Sequence, residues 1–367
     1  MTLPSPFAPP SGTPFACASE NQMKQRTSVI FYTNVIYNFI LELLTIFFSL
    51  KTIPFLQKHS GRLFTTSSNI LLQWTLVCGI FHSVVYFIIQ LTSLLRSIRH
   101  PDDPCAIMFN EYECWLYHFA DIFARLWLTF NYVFLMFDGT VSCFVPRIKS
   151  TKLRANLFQG LSVICSLLMA HVMTSDGPNT NILSNCLSRQ GRDLNELTRQ
   201  VGSYAFTYAA CIGLMAVTWT RAYRNHKARV TNISKRFDNR MNYETSRFLF
   251  VATLLAMLVM LVYPSGVIFI IAHLEYLDPA EIGNYVLWTY QFNLATFLLP
   301  ILIILFAKRT FRIRAENLVK QQAINEDHFL GLSSAWDAKF EAQKSLRVQR
   351  LGRRNAVAPD IVTVEVK

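Results

Sequence analysis

At 367 residues, with 52% hydrophobic and only 16% charged, the chain is too greasy for an ordinary soluble domain and long enough for several membrane spans. A formal net charge of +12 would suit nucleic acid if the basic residues covered one folded surface. They fall instead between and after the apolar runs, which excludes that reading and points to membrane topology.

The first residues, Met1 to Phe15, carry no charge and no apolar core, so no secretory leader is expected and the first span serves as its own insertion signal. Seven stretches meet the requirement of about 20 apolar residues for a spanning helix. They are Ser28 to Leu50, Thr66 to Leu94, Trp115 to Phe144, Asn156 to Met173, Val201 to Tyr223, Phe248 to His273 and Tyr285 to Ala307. The expected fold is therefore all-α, a polytopic seven-transmembrane helix bundle. The divisions are an N-terminal segment over 1–27, the bundle over 28–307, an amphipathic helix over 308–322 and a flexible basic tail over 323–367. Basic residues crowd the connections after spans one, three, five and seven, whereas Asp102, Asp103, Glu111, Glu113, Glu275, Asp278 and Glu281 lie on the opposite side. By the positive-inside rule the N-terminus is outside and the C-terminus inside. The one glycosylation triplet, Asn232-Ile233-Ser234, then falls on the cytoplasmic side, and no N-linked glycan is expected.

The eight cysteines sort by this topology. Cys78, Cys143, Cys165 and Cys211 lie in or at the end of spans, where a small buried thiol is ordinary. Cys17, Cys105, Cys114 and Cys186 are expected in the oxidising compartment, and of the three connectivities that four cysteines permit, Cys114 to Cys186 and Cys17 to Cys105 is the one anticipated.

Span three carries charges, which cost about 2.5 to 3.5 kcal/mol each at the centre of a membrane helix and so face a bundle interior or a cavity. His118, Asp121, Arg125, Thr129 and Tyr132 share one helical face, and Asp121 precedes Arg125 by four positions, the favourable order for an intrahelical ion pair. Pro264 in span six and Pro300 in span seven are candidate kinks. For catalysis, Glu42, His82 and Asp121 would have to converge from three spans, and no His-x-x-x-His pair, glycine-rich phosphate loop or carboxylate pair accompanies them. No enzyme activity, cofactor or metal is expected. No repeat or ring of like charges supports a pore or a transporter. The polar and aromatic groups inside spans two, three, six and seven, namely His82, Tyr86, His118, Asp121, Arg125, Tyr263, Trp288 and Gln291, are the expected lining of a small-molecule site.

Specific residues add a resemblance. Cys17-Ala18-Ser19-Glu20 with Thr27-Ser28, Phe64-Thr65-Thr66-Ser67-Ser68-Asn69-Ile70-Leu71-Leu72 with His82 beyond it, and Asp103-Pro104-Cys105 followed by Glu113-Cys114 resemble the pattern of nematode serpentine receptors of class alpha. Class alpha/beta is a near relative. The likeness runs from about Cys17 to Phe297-Leu298-Leu299-Pro300. It implies a G-protein-coupled chemosensory receptor for an odorant or water-soluble ligand, in the plasma membrane of a sensory neuron cilium, with a heterotrimeric G protein as partner. The residues expected to face that partner are Asp138, Arg147, Arg224, Lys227, Arg247, Lys308 and Arg309. One departure stands out. Such receptors end span three with an acid followed by Arg, whereas this chain has Phe137-Asp138-Gly139-Thr140, which leaves open a non-signalling escort or oligomerising subunit, or a ligand-gated channel.

Overall fold

The computed structural model describes residues 17–144, 151–175, 182–183, 186, 194–227, 233–277 and 281–356. A short helix α1, Glu20–Thr27, is opened by a reciprocal cap in which Ser19 and Gln22 exchange side-chain and backbone hydrogen bonds. The chain extends at Ser28, whose hydroxyl then accepts from the Phe31 amide and starts α2, Val29–Lys58. A left-handed turn at Gly61, φ +74°, leads to α3, Thr66–Arg99. A two-residue strand β1, Phe109–Asn110, precedes α4, Glu111–Phe144, and α5 spans Thr151–Thr174. Strand β2, Ile182–Leu183, pairs antiparallel with β1, Phe109 opposite Leu183. Then come α6, Leu194–Lys227, α7, Ile233–Ala272, α8, Ile282–Thr289, and α9, Phe292–Ala356.

Among the described residues six helices are long and apolar enough to cross a membrane, and α6, with 34 residues, is a further long helix. The helices outrun the apolar windows read from the sequence. The 40 residues of α7 span about 60 Å at 1.5 Å per residue, twice a hydrocarbon core, because helical hydrogen bonding continues past the lipid wherever no breaker intervenes. The seventh span departs further: it is interrupted at Tyr290 and Gln291, between α8 and α9, while α7 and α9 run unbroken through Pro264 and Pro300.

Packing puts α3 and α4 at the centre. In each, 56% of the most apolar window is buried, against 33% in α2 and 28% in α5. The outward faces of α2 and α5 are apolar, with Ile36, Ile40, Leu43 and Phe47 on one and Leu153, Leu157, Ile164 and Leu168 on the other. Helices solvated by lipid have this inverted pattern. The apolar face of α4 does not point outward as a whole, for Ile122 and Leu126 pack on Ala170 of α5. Cys17 bonds Cys105 and Cys114 bonds Cys186, and the latter pair is buried with Ile89 and Phe109.

From Ala307 onward the described residues form a separate compact unit. There α9 continues as helix to Ala356, through the described part of the basic tail expected over 323–367. No proline lies between Pro300 and Pro359 to stop it, and Arg312 pairs with Glu316 one turn on at 2.9 Å.

Candidate ligand-binding site

The polar face of α4 is buried, and its ion pair forms: Arg125 Nη2 lies 2.7 Å from Asp121 Oδ2, with Asp121 1% exposed. What organises the surroundings is Tyr290, at the interruption of the seventh span. Freed from regular helix there, its ring enters the bundle. The hydroxyl meets His82 Nε2 at 2.7 Å and donates to Asp121 Oδ1 at 3.3 Å. Tyr86 stacks on the same ring at 4.8 Å, Tyr263 meets it edge-on at 5.9 Å, and the Arg125 guanidinium sits 5.6 Å from its centre. Helices α3, α4 and α7 thus each send side chains to one tyrosine.

Close approach of α7 makes this possible. A methyl added at Gly266 would stand 2.3 Å from Thr289 Cγ2, so the residue one turn from Tyr263 has to lack a side chain for α7 to lie against the end of α8.

Of the expected lining, His82, Tyr86, Asp121, Arg125 and Tyr263 gather round Tyr290. Trp288 and Gln291 turn instead to Tyr37 of α2, the first stacked at 5.5 Å and the second accepting from its hydroxyl at 3.2 Å. His118 is half-buried three residues before Asp121. Glu42 does not join His82 and Asp121; it accepts from Asn293 at 3.3 Å, and Asn293 also donates to Asn38 at 2.9 Å. Tyr290 itself was missed, since an aromatic residue within an apolar run carries no mark of its direction. Its position two residues before Phe292, where the helix restarts, becomes informative only once the break is seen.

The residues expected to face a G protein separate. Asp138 is fully buried rather than on a surface: Ser67 and Ser68 of α3 donate to its two oxygens, the second at 2.9 Å, and Arg154 of α5 closes on it at 2.7 Å. Arg154 also donates to Ser142 at 2.8 Å. A carboxylate at this depth is retained because hydroxyls and a guanidinium replace its water. In the sequence Arg154 counted only as one more topological charge. Arg224, Lys227 and Arg247 are exposed, Lys227 over the Tyr223 ring at 4.8 Å, and Lys308 and Arg309 are exposed in the second unit. Arg147 and Asn232 lie outside the described residues.

Apolar helices around buried ion pairs, with α4 tied by a disulfide to the connection that follows α5, make this a polytopic membrane protein with a helix bundle of the seven-transmembrane receptor class. The family described as "Serpentine type 7TM GPCR chemoreceptor Sra" matches residues 13–336, and the chain belongs to it. Among its relatives, serpentine receptor class alpha-32 of Caenorhabditis elegans is 26% identical over 325 residues, covering 85% of this chain and 93% of that one. Serpentine receptor class alpha-10 is 24% identical in Caenorhabditis elegans and 23% in Caenorhabditis briggsae, each match covering 87% of this chain and 97% of the relative. These relatives are named as receptors, not as enzymes.

Proposed function

We propose that the chain is a plasma-membrane chemoreceptor of a sensory neuron, detecting a small odorant or water-soluble molecule and signalling through a heterotrimeric G protein. The observation that carries this is the Tyr290 cluster, where groups from α3, α4 and α7 meet an interruption in the seventh span. A ligand that competes for the Tyr290 hydroxyl, for Asp121 or for Arg125 alters contacts among these helices at once, and a conformational change needs such differential contact between states. The disulfide end is the outer face, and the exposed Arg224, Lys227 and Arg247 belong to the inner face that meets the G protein.

The missing Arg after Asp138 is compatible with coupling on this reading. Arg154 supplies the counter-charge from α5, so the acid is latched across helices rather than by its chain neighbour. Breaking that contact would free Asp138, Ser67 and Ser68 together. The test is nucleotide exchange on a panel of G proteins in cells expressing the chain and exposed to volatile and water-soluble compounds. Exchange that depends on both the chain and a compound is expected, and Tyr290→Ala or Asp121→Ala should abolish it while the protein still reaches the surface. Ligand-gated current with no G protein, or no response from a surface-expressed chain across the panel, would overturn the proposal.

A further inference from the structure

Nearer the disulfides, a second buried constellation lies on the same face of α3 as Tyr86. Arg26, at the end of α1, is 1% exposed. Its guanidinium enters the bundle, Nη1 donating to the Ser93 hydroxyl and Nη2 to the Ser93 carbonyl at 2.8 Å, between the rings of Phe31 at 4.8 Å and Phe109 at 5.6 Å. Among the described residues no carboxylate lies within ion-pair distance of it. Arg96, the charged group that acts on it, repels it and is itself paired with Glu113 at 2.7 Å. Burial and this repulsion bring the Arg26 guanidinium down to about 9. One donor there, Arg26 Nε, is buried with no partner, and one turn along α3 from Ser93 the buried Gln90 side chain hydrogen-bonds toward the Tyr86 hydroxyl a further turn on.

Buried polar groups are ordinarily satisfied, and a desolvated cation without a counter-charge costs several kcal/mol. An uncompensated guanidinium, an amide donor beside it and flanking aromatic faces are together the chemistry that recognises a carboxylate. The arrangement is held in place from outside, because the Cys17–Cys105 disulfide tethers α1 and Asn284 of α8 donates to the Gln25 carbonyl at 2.9 Å.

We propose that Arg26 and Gln90 form an anion site for the carboxylate of a small organic acid, its apolar remainder running along α3 toward the Tyr86 and Tyr290 rings. The site deepens the receptor reading by naming the class of ligand, and rests on it for its physiological meaning. The acid neutralises Arg26, takes the free hydrogen of Arg26 Nε and the second amide hydrogen of Gln90, whose first is directed to Tyr86, and reaches the tyrosine cluster through its tail.

The experiment uses the full chain in lipid nanodiscs. Thermal unfolding midpoints are followed while butyrate, hexanoate and benzoate are each titrated against the matching amide and alcohol. Saturable stabilisation by the acids and none by the neutral partners is expected. Arg26→Gln should weaken acid binding at least about tenfold, the factor equivalent to 1.4 kcal/mol, and Gln90→Leu should weaken it less. Arg26→Lys, which keeps the charge without the fork, should retain part of the preference and serves if Arg26→Gln does not fold. Equal shifts with acid and amide, no shift with any acid, or an acid preference that survives Arg26→Gln or is unaltered by both Arg26→Lys and Gln90→Leu would overturn the site. Nucleotide exchange driven by neutral compounds alone would sink the anion site and spare the receptor. Acid binding without exchange on any G protein would do the reverse.

Discussion

The two buried ion pairs of α4 are built on opposite plans. Asp121 and Arg125 belong to one helix, four residues apart, and their salt bridge ties no two helices together; the link to neighbouring helices runs through Tyr290. Asp138 is paired with Arg154 of α5 and bonded to Ser67 and Ser68 of α3, so that one carboxylate joins three helices. Where a charge is compensated from its own helix, its contacts with other helices are free to change without leaving it unpaired. Where it is compensated across helices, any relative movement exposes it. The first plan suits a site that responds to ligand, and the second suits a clamp that holds one arrangement.

Substitutions can break that contrast. Asp138→Asn strands the Arg154 guanidinium at 10% exposure and is expected to cost about 3 to 5 kcal/mol, read as a large fall in the unfolding midpoint. Replacing both partners together, Asp138→Asn with Arg154→Met, should recover much of it, and a double mutant no better than the single would show that the clamp is not the pair itself. Asp121→Asn is expected to cost less, since Arg125 keeps the Tyr290 ring as a partner. Equal losses at the two sites would erase the distinction.

Smaller effects sharpen it. Gly266→Val drives a side chain into Thr289 and should cost about 1 to 3 kcal/mol by overpacking, with loss of ligand response because Tyr263 and Tyr290 part. Tyr290→Phe keeps the stacking and removes the hydroxyl from His82 and Asp121, for about 1 kcal/mol in stability and a larger effect on signalling. At the far end of the scale, Lys24 holds the exposed Glu20 carboxyl below its ordinary range. A lowered acid contributes stability above its unfolded value and loses it as pH falls through the folded one, but full solvent screening makes Glu20→Gln silent in the unfolding midpoint at neutral pH.

Much of this was legible along the chain. Length and hydropathy determined six of the spans, the compartment argument anticipated both disulfides, and a spacing of four residues was enough to pair Asp121 with Arg125. Each of these depends on a local period or on composition, which sequence carries directly. Five members of the candidate site followed from polarity at membrane depth, because a polar group in lipid has nowhere to go but inward.

The tertiary structure alone decided the rest: that Tyr290 is the centre, that Trp288 and Gln291 serve Tyr37, that Arg154 answers Asp138, and that Arg26 is drawn in beside Ser93. The reason is common to all four. A tyrosine in an apolar run, or an arginine next to a membrane boundary, acquires its role from side chains on helices far away in sequence. Its own neighbours in the chain are the same whether it faces the lipid, the water or the core.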